Sequence, residues 1–329
     1  MRIVQAGYEI MDPFVSEGIL KRIEKVARTC YKSEDKIKEG SAEKMVRALA
    51  RSEHYAMLEH GIIIMETDER GYILLANTLE LIKEKEGEVP YLRYTPSGYS
   101  GRYVVSGNCR AWLEYLTLCR KHELGVGRGF ASILLEQDKY RAIFGELEVI
   151  ISYKGNCKEL TYADLTAKEK LIHGDITVKY YVDRGISHEI VRHRKASYAQ
   201  ESTRYCNYGK AGDVTFIRPC YFEDDTVEMD NWVDSCMRSE KDYLALLEMG
   251  RTPQEARGVL NTSLKTEVVM TANLKEWRHF FNLRALDTTG KAHPQIKEVA
   301  IPLLVEFKEM EPEVFADMEV ESWVAGETI

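Results

Sequence analysis

Residues 192–205 carry the densest run of ligand-binding side chain types in the chain, and they read Arg192-His193-Arg194-Lys195-Ala196-Ser197-Tyr198-Ala199-Gln200-Glu201-Ser202-Thr203-Arg204-Tyr205. The run holds four cationic side chains, one imidazole and only one acid. Consecutive Arg-His-Arg side chains cannot all face one way on regular structure, so on a loop they hold different parts of an extended ligand. Arginine suits phosphate because its planar fork presents paired donors. Gln200 offers the donor and the acceptor that a pyrimidine edge needs, and the neighbouring hydroxyls add donors.

The alternative interpretation of this run is a solvated helix face, which is the usual fate of a basic stretch. Two features favour a binding loop instead. Small polar residues, not acids, separate the cations. The run also follows residues 176–184, whose alternating pattern predicts a half-buried strand, and site loops commonly follow strands. Gly185 and Ser187 fit a turn and an N-cap, so we expect a short helix carrying His188, Glu189 and Val191.

Elements on both sides of this stretch favour an α+β fold with a central, mostly antiparallel sheet flanked by helices. Leu264 to Thr271 alternates like a strand, and Ile62–Met65 is typical of a buried strand. Helices are predicted from Pro253 with a capping box, from Leu274 with an asparagine cap, and from Pro294 with a bend at Pro302. The remaining predicted helices lie in the first 60 residues and after Ser106-Gly107-Asn108.

The composition argues against several classes of function. The chain has 329 residues, 44% hydrophobic and 30% charged, with a formal net charge of −8, so nucleic acid is an improbable main partner. Seven cysteines without a C-x-x-C pair indicate reduced thiols in a cytoplasmic protein. No apolar run approaches the ~20 residues of a membrane helix. No H-x-x-H or H-x-x-x-H pair occurs, so we expect no metal site.

The motif R-H-R-x-x-S followed by S-x-R-Y resembles the hallmark of the flavin-dependent thymidylate synthases, with Ala199-Gln200-Glu201 as a variant centre. His54 and Glu59-His60 are similar to the family's upstream element, and the stretch from Ala256-Arg257 to Arg284 is similar to its C-terminal element. The match covers roughly residues 20–65 and 174–300. We therefore expect one domain over residues 1–329 with a family-variable insertion at about 66–172, packed at the rim of the sheet.

The resemblance implies conversion of dUMP to dTMP, with methylenetetrahydrofolate as carbon donor and FAD, reduced by NADPH, as hydride source. It also implies a homotetramer whose sites lie between subunits. The residues that it assigns to FAD are His54, Glu59, Arg192, His193, Arg194, Asn273, Lys275 and His279. The residues that it assigns to dUMP are Glu189, Arg192, Gln200, Glu201, Ser202, Thr203, Arg204, Arg257 and Arg284. Ala56 and Lys275 depart from the family's usual threonine and arginine.

Arg284 is the expected catalytic residue. A guanidinium stays charged at any workable pH and is a poor proton acceptor. It stabilises negative charge on a uracil ring where water is excluded, so no cysteine nucleophile is required. Cys206 lies just outside the motif and is expected to be a small packing residue.

Plainer roles remain open for several of these residues. His54 and His60 could cap or pack near a strand, and His279 could be a core histidine. Arg257 could pair with Glu255 or Glu267 on the surface, whereas Arg284 could complement a helix C-terminus. His188 and Glu189 could pair with His193 at helical spacing.

Two competing functions also remain. The first is a related FAD- and pyrimidine-nucleotide-binding protein with another one-carbon transfer or with lost activity. The second is a non-enzymatic nucleic-acid-binding protein that uses the basic loop.

Overall fold

The computed structural model describes residues 1–11, 18–145, 147–211 and 213–320. Its strands are β1 (Arg2–Val4), β2 (Gly7–Met11), β3 (Ile62–Thr67), β4 (Leu92–Thr95), β5 (Tyr103–Asn108), β6 (Val126–Gly127), β7 (Ile151–Ser152), β8 (Cys157–Leu160), β9 (Asp175–Asp183), β10 (Ser197–Gln200), β11 (Thr215–Ile217) and β12 (Lys265–Asn273).

Helices outnumber strands in the described residues. The α-helices are α1 (Ile19–Thr29), α2 (Ser41–Arg51), α3 (Glu69–Glu86), α4 (Ser97–Ser100), α5 (Cys109–Lys121), α6 (Arg128–Leu134), α7 (Arg141–Phe144), α8 (Ala167–His173), α9 (Arg184–Ile190), α10 (Val227–Glu248), α11 (Pro253–Ala256), α12 (Leu274–Arg284), α13 (Pro294–Met310) and α14 (Pro312–Phe315). Short 3-10 turns lie at Glu34–Lys36, Tyr55–His60, Asp138–Tyr140, Tyr162–Asp164, Tyr208–Ala211 and Arg257–Val259.

The motif sheet, in the order β10-β12-β9-β2, is antiparallel throughout. β9 and β12 pair over nine residues each, from Lys265 opposite Asp183 to Asn273 opposite Asp175. Both strands are buried along almost their whole length, which explains their apolar pattern. The strands predicted at 176–184 and 264–271 are confirmed within two residues at either end.

Helices α12 and α13 cover the motif sheet and form an aromatic core. The Asn273 side chain accepts from Glu276 N at 2.9 Å and caps α12, as predicted. Trp277 and Phe281 are fully buried, with ring centroids 5.8 Å apart. Pro294 begins α13 and Pro302 lies inside it. The predicted capping box at Thr252 is also confirmed.

The insertion contributes three of the four strands of a second sheet. This insertion sheet has the order β4-β5-β3-β8 and is also antiparallel. Strands β4, β5 and β8 lie within residues 66–172, whereas β3 begins before that range and pairs with β5 and β8. Helices α1, α2 and α5 to α7 enclose a separate core around Trp112 and Phe130. The predicted α+β class is confirmed, with the sheet divided in two.

One predicted helix start is wrong in detail. Asp183, not Ser187, caps α9: its side chain accepts from Ile186 N at 2.7 Å, and it lies at the end of β9 where the chain turns. The helix predicted after Ser106-Gly107-Asn108 is confirmed as α5, which Asn108 caps; Ser106 and Gly107 belong to β5 and pair with β3. Among the described helices, none is both long and apolar enough to cross a membrane.

A buried polar seam joins the two sheets. Arg93 donates to Asp175 Oδ2 at 2.5 Å, and His173 bonds Ser106 Oγ at 2.8 Å. His60 Nδ1 lies 2.7 Å from Thr271 Oγ1. Burial lowers the pKa of both His60 and His173 to about 3, so both imidazoles are neutral at physiological pH. The seam therefore holds hydrogen-bonded polar groups where the cores on either side are apolar.

Candidate functional site

The basic run lies on a loop, so the helix-face interpretation is wrong. α9 ends at Ile190, residues 191–196 form the motif loop, and β10 begins at Ser197. Lys195 has a φ of 66°, a left-handed conformation that turns the chain into β10. Arg192 and Arg194 are exposed. Among the described residues neither forms an ion pair, so both guanidinium groups are available for an anion.

Arg284 is held at the motif loop by two partners. Its Nη1 donates to Glu189 Oε2 at 2.6 Å, and its Nε donates to His193 Nε2 at 3.0 Å. Burial, with Arg284 and His279 adding to it, lowers the pKa of His193 to about 4. The ring is therefore neutral and accepts the Arg284 bond. Arg284 is the last residue of α12, but a favourable interaction with the helix C-terminus alone would not account for these two hydrogen bonds.

Glu189 and His193 are linked through Arg284. The expected alternative was a pairing of His188 or Glu189 with His193 at helical spacing. The structure instead directs the Glu189 carboxylate to the guanidinium, which bridges it to the imidazole. Arg284 thus forms one cluster with Glu189, which lies 95 positions before it in the sequence, and with His193, which lies 91 positions before it.

The residues after the motif loop form a second polar cluster. Arg257 Nη1 donates to Thr203 Oγ1 at 2.9 Å, so the expected surface pairing with Glu255 or Glu267 is not the contact that forms. Gln200 Nε2 donates to Ser187 Oγ at 2.9 Å, which fixes its amide beside α9. Arg204 is exposed and lies over the Tyr205 ring at 5.5 Å.

Glu201 points inward. Its Oε1 accepts from Tyr208 at 2.6 Å and lies 3.0 Å from Lys32 Nζ. Its Oε2 lies 3.6 Å from Lys265 Nζ without a hydrogen bond. Ser202 N donates to Cys30 O at 3.0 Å and ties the next turn to the end of α1. The carboxylate thus anchors the chain from inside; Thr203 is also buried, Ser202 is partly buried, and Arg204 is exposed.

Three of the eight residues assigned to FAD line two cavities. Glu59 and Asn273 line a cavity of about 370 Å³, the seam cavity, together with Ser197 and with Lys195, which follows Arg194 in the sequence. His54 lines a second cavity of about 360 Å³. Arg110 lines this second cavity and also donates to Glu59 Oε1 at 2.8 Å, so it connects the two.

The burial of His54, His60 and His279 distinguishes between the alternative roles expected for them. His60 is fully buried and bonds Thr271, so it packs at the seam. His54 is exposed, and its side chain caps no helix. His279 is also exposed, with its ring centroid 6.1 Å from that of His193, so the core interpretation of His279 is wrong. Lys275 is exposed on the first turn of α12.

Three other seam-cavity residues carry no signal in the sequence. Tyr91, Arg93 and Asp175 line the cavity. Tyr91 and Arg93 belong to the insertion, where no motif pointed to them. Tyr91 has a φ of 63°, and its hydroxyl donates to Ala196 O at 3.4 Å. Only the pairing of distant strands brings these side chains to the motif loop.

No described cysteine is a reactive thiolate. All seven are free, and burial is the main cause that raises the pKa of each thiol, to about 11 for Cys30 and Cys206. Cys206 is buried, in agreement with its expected packing role. In the described ranges, no group of three or more His, Cys, Asp or Glu side chains is arranged to hold a metal ion.

Residues 166–313 match the family described as "Thymidylate synthase complementing protein". Proteins named flavin-dependent thymidylate synthase are similar to this chain. The one from Thermococcus kodakarensis is 36% identical over 124 residues, which is 37% of this chain and 49% of that protein. The one from Pyrococcus horikoshii is 37% identical over 133 residues, 39% of this chain and 54% of its own length. The one from Mycobacterium marinum is 30% identical over 171 residues, 46% and 66% of the respective lengths.

The chain spans about half the length of the first two of these curated relatives. The family resemblance seen in the motif is confirmed, and residues 166–313 belong to this family. The matched range contains the motif loop, Arg257 and Arg284. His54, Glu59 and the insertion lie outside it.

Proposed function

We propose that this chain methylates dUMP to dTMP, with methylenetetrahydrofolate as the carbon donor and FAD, reduced by NADPH, as the hydride source. The observation that carries the proposal is the position of Arg284, fixed by Glu189 and the neutral His193 beside the motif loop. The family matched by residues 166–313 and the names of the relatives support flavin-dependent thymidylate synthesis.

The motif-loop arginines and the polar residues of the seam cavity fit a flavin dinucleotide. Exposed Arg192 and Arg194 offer forked donors of the kind that a pyrophosphate needs. Glu59 and Asn273 offer acceptors and donors for hydroxyl groups at the adjoining seam cavity. When bound there, FAD supplies the hydride. The chain's own contribution is to hold the dinucleotide beside the polar cluster of Gln200, Thr203, Arg204 and Arg257, called here the nucleotide cluster.

The nucleotide cluster supplies orientation. Thr203, Arg204 and Arg257 are proposed to hold the dUMP phosphate, because a forked guanidinium and a hydroxyl are good phosphate donors. The Gln200 amide nitrogen is used by Ser187, so its carbonyl oxygen is the group left for a donor on the pyrimidine edge. Glu201 is buried beneath this cluster and fixes the turn through its contacts with Tyr208 and Lys32.

Arg284 is the proposed catalytic residue. Its charge is partly balanced by Glu189, and its direction is fixed by two hydrogen bonds, so little reorganisation is needed when negative charge develops on the uracil ring. That charge makes the ring carbon more nucleophilic toward the one-carbon donor. Because no thiolate is available among the described cysteines, the ring is activated by this electrostatic route.

The proposal includes a cytoplasmic homotetramer with shared sites. His54 is exposed at the mouth of the second cavity, and Lys275 and His279 are exposed on α12. Such groups are free to face a neighbouring copy. A mass measurement by light scattering tests this part: a monomer in the presence of FAD and dUMP would contradict it.

A spectroscopic titration tests the reaction. We expect the purified protein to bind FAD, the flavin absorption to bleach on anaerobic addition of NADPH, and the spectrum to shift when dUMP is added. Turnover with methylenetetrahydrofolate, followed by detection of dTMP, then identifies the product. A protein that binds FAD and dUMP without forming dTMP would be the related protein with another or lost activity. A protein that binds neither ligand but shifts single-stranded RNA in a salt-dependent manner would be the nucleic-acid binder.

A further inference from the structure

The insertion forms one side of the seam cavity, facing the motif loop. The cavity's insertion side is residues 88–93 and Asn108. Its other side carries Lys195, Ser197, Thr271 and Asn273. Its volume of about 370 Å³ lies at the lower end of the ~300–1,000 Å³ typical of small-molecule pockets. The cavity therefore accommodates one part of a dinucleotide and not the whole.

Two strained residues flank this cavity. Tyr91 has a φ of 63° and Lys195 a φ of 66°, which bulky L-residues rarely adopt. Both line the cavity, one from the insertion and one from the motif loop. The Tyr91 hydroxyl donates to the carbonyl of Ala196, the residue after Lys195, at 3.4 Å. Backbone strain of this kind persists where surrounding contacts enforce it, and it concentrates at ligand sites.

Further contacts hold the insertion against the site. Arg93 donates to Asp175 Oδ2 at 2.5 Å and to Ile172 O at 2.6 Å. Arg110 donates to Glu59 Oε1 at 2.8 Å. The insertion is thus bonded to β9 through Arg93 and to Glu59, one of the residues assigned to FAD, through Arg110. A segment that only filled space would not need charged bonds to both.

The charges of the cavity indicate which part of a ligand it takes. The lining contains four carboxylates, at Glu59, Glu88, Asp175 and Glu276, and two cations, at Arg93 and Lys195. A pyrophosphate would be repelled by this excess of negative charge. Carboxylate and amide oxygens instead accept hydrogen bonds from hydroxyl groups. The ribityl chain or the adenosine ribose of FAD carries such groups.

We propose that residues 88–93 of the insertion form one wall of the flavin pocket, and that Tyr91 is a positioning residue that holds the motif loop against a neutral, hydroxyl-bearing part of the flavin. This inference rests on the proposed function. It assigns to the insertion a role in cofactor binding, and it leaves the pyrophosphate to Arg192 and Arg194 on the motif loop.

Flavin titrations of the full-length protein test the proposal. The wild type and the variants Tyr91→Ala, Tyr91→Phe and Tyr153→Ala are freed of flavin and titrated with FAD and, separately, with riboflavin, followed by flavin fluorescence. Tyr153 is an insertion tyrosine that is 92% exposed, so its variant is the matched control. We expect Tyr91→Phe to weaken binding about fivefold, the size of one lost hydrogen bond. Tyr91→Ala also removes the ring from the wall and is expected to weaken binding further, and Tyr153→Ala to bind as the wild type does.

The two ligands separate the possible occupants. Weakened binding of both FAD and riboflavin assigns the ribityl half to the cavity, whereas weakened binding of FAD alone assigns the adenosine half. The visible spectrum of the bound flavin at saturation should also shift in Tyr91→Phe at an unchanged melting temperature, which a merely structural residue would not cause. Variants at Tyr91 that bind both ligands with wild-type affinity and spectrum would overturn the inference. A wild-type protein that binds no flavin would instead overturn the proposed function.

Discussion

The insertion sheet and the motif sheet share one architecture but use their arginines differently. In the insertion, an acidic side chain pairs with five of the seven arginines: Arg93, Arg102, Arg110, Arg128 and Arg141. In the motif, Arg192, Arg194 and Arg204 form no ion pair with any described residue. Most arginines of the insertion are thus paired within the fold, whereas these three motif arginines are left for a ligand. Residue type alone does not mark a binding site, because arginines occur in both regions and differ in their partners.

The seam between the sheets has an intermediate character. Its polar groups are buried and almost fully bonded to one another, as in a core, yet they line a cavity. Substitutions at the site, at the seam and in the insertion should therefore separate activity from stability in a graded way.

The largest effect is expected at Arg284. Arg284→Lys replaces a fork that bonds Glu189 and His193 with a single ammonium, which cannot hold both partners. Loss of an oriented electrostatic group costs roughly 10²- to 10³-fold in kcat, and the steady-state rate of dTMP formation measures it. Arg102→Lys is the control, because Arg102 pairs with Glu169 and Glu66 in the insertion half. Equal losses of turnover in both variants would contradict the contrast between the regions.

A smaller effect, on stability, is expected at the seam. Asp175→Asn leaves Arg93 without its carboxylate partner in a site where both side chains are largely buried. Breaking a fully buried pair costs ~3–5 kcal/mol, and the partial exposure of Arg93 lowers the expected loss to about 2 kcal/mol. Urea unfolding measures it. Asp138→Asn, which breaks an exposed pair with Arg141, should change the free energy of unfolding by under ~0.5 kcal/mol. Similar losses in both would show that the seam is not buried in solution.

The pH dependence of stability is expected to come partly from three buried histidines. The folded pKa values are about 3 for His60 and His173 and about 4 for His193, below the ordinary value of 6.5. Below pH 6.5 the unfolded chain binds protons that the folded chain excludes. The contribution of these histidines to the free energy of unfolding is therefore fully present above pH 6.5. It is lost as the pH falls toward 4, by up to about 1.4 kcal/mol per pH unit for each histidine. Urea unfolding of His173→Gln between pH 6.5 and 5 should give a shallower slope; an unchanged slope would exclude His173 as a source.

The smallest effect is expected at Thr203. Thr203→Val removes the hydroxyl that accepts from Arg257 while keeping the side chain's volume. One lost hydrogen bond of ~1 kcal/mol corresponds to about a fivefold rise in KM for dUMP, with kcat unchanged. Thr203→Ser restores the hydroxyl and should restore KM. A fall in kcat without a change in KM would mean that Arg257 acts on the reaction and not on binding.

Local pattern alone determined the elements that carry the motif. The alternation of β9 and β12, the asparagine cap of α12 and the capping box at Thr252 each depend on neighbours within a few residues. Such features are set by backbone geometry and side-chain periodicity, so they can be recognised in the sequence. The motif residues were recognised by residue type and spacing, whereas Arg284 was assigned by the resemblance to the family.

Tertiary structure decided which of these residues meet. The bonds of Arg284 to Glu189 and His193 span more than 90 positions, and those of Tyr91 to Ala196 and Arg93 to Asp175 span 105 and 82. The insertion sheet itself depends on β3 pairing with strands on both sides of it. Long-range pairing is fixed by which apolar faces are buried together, a property of the whole chain that no local spacing contains.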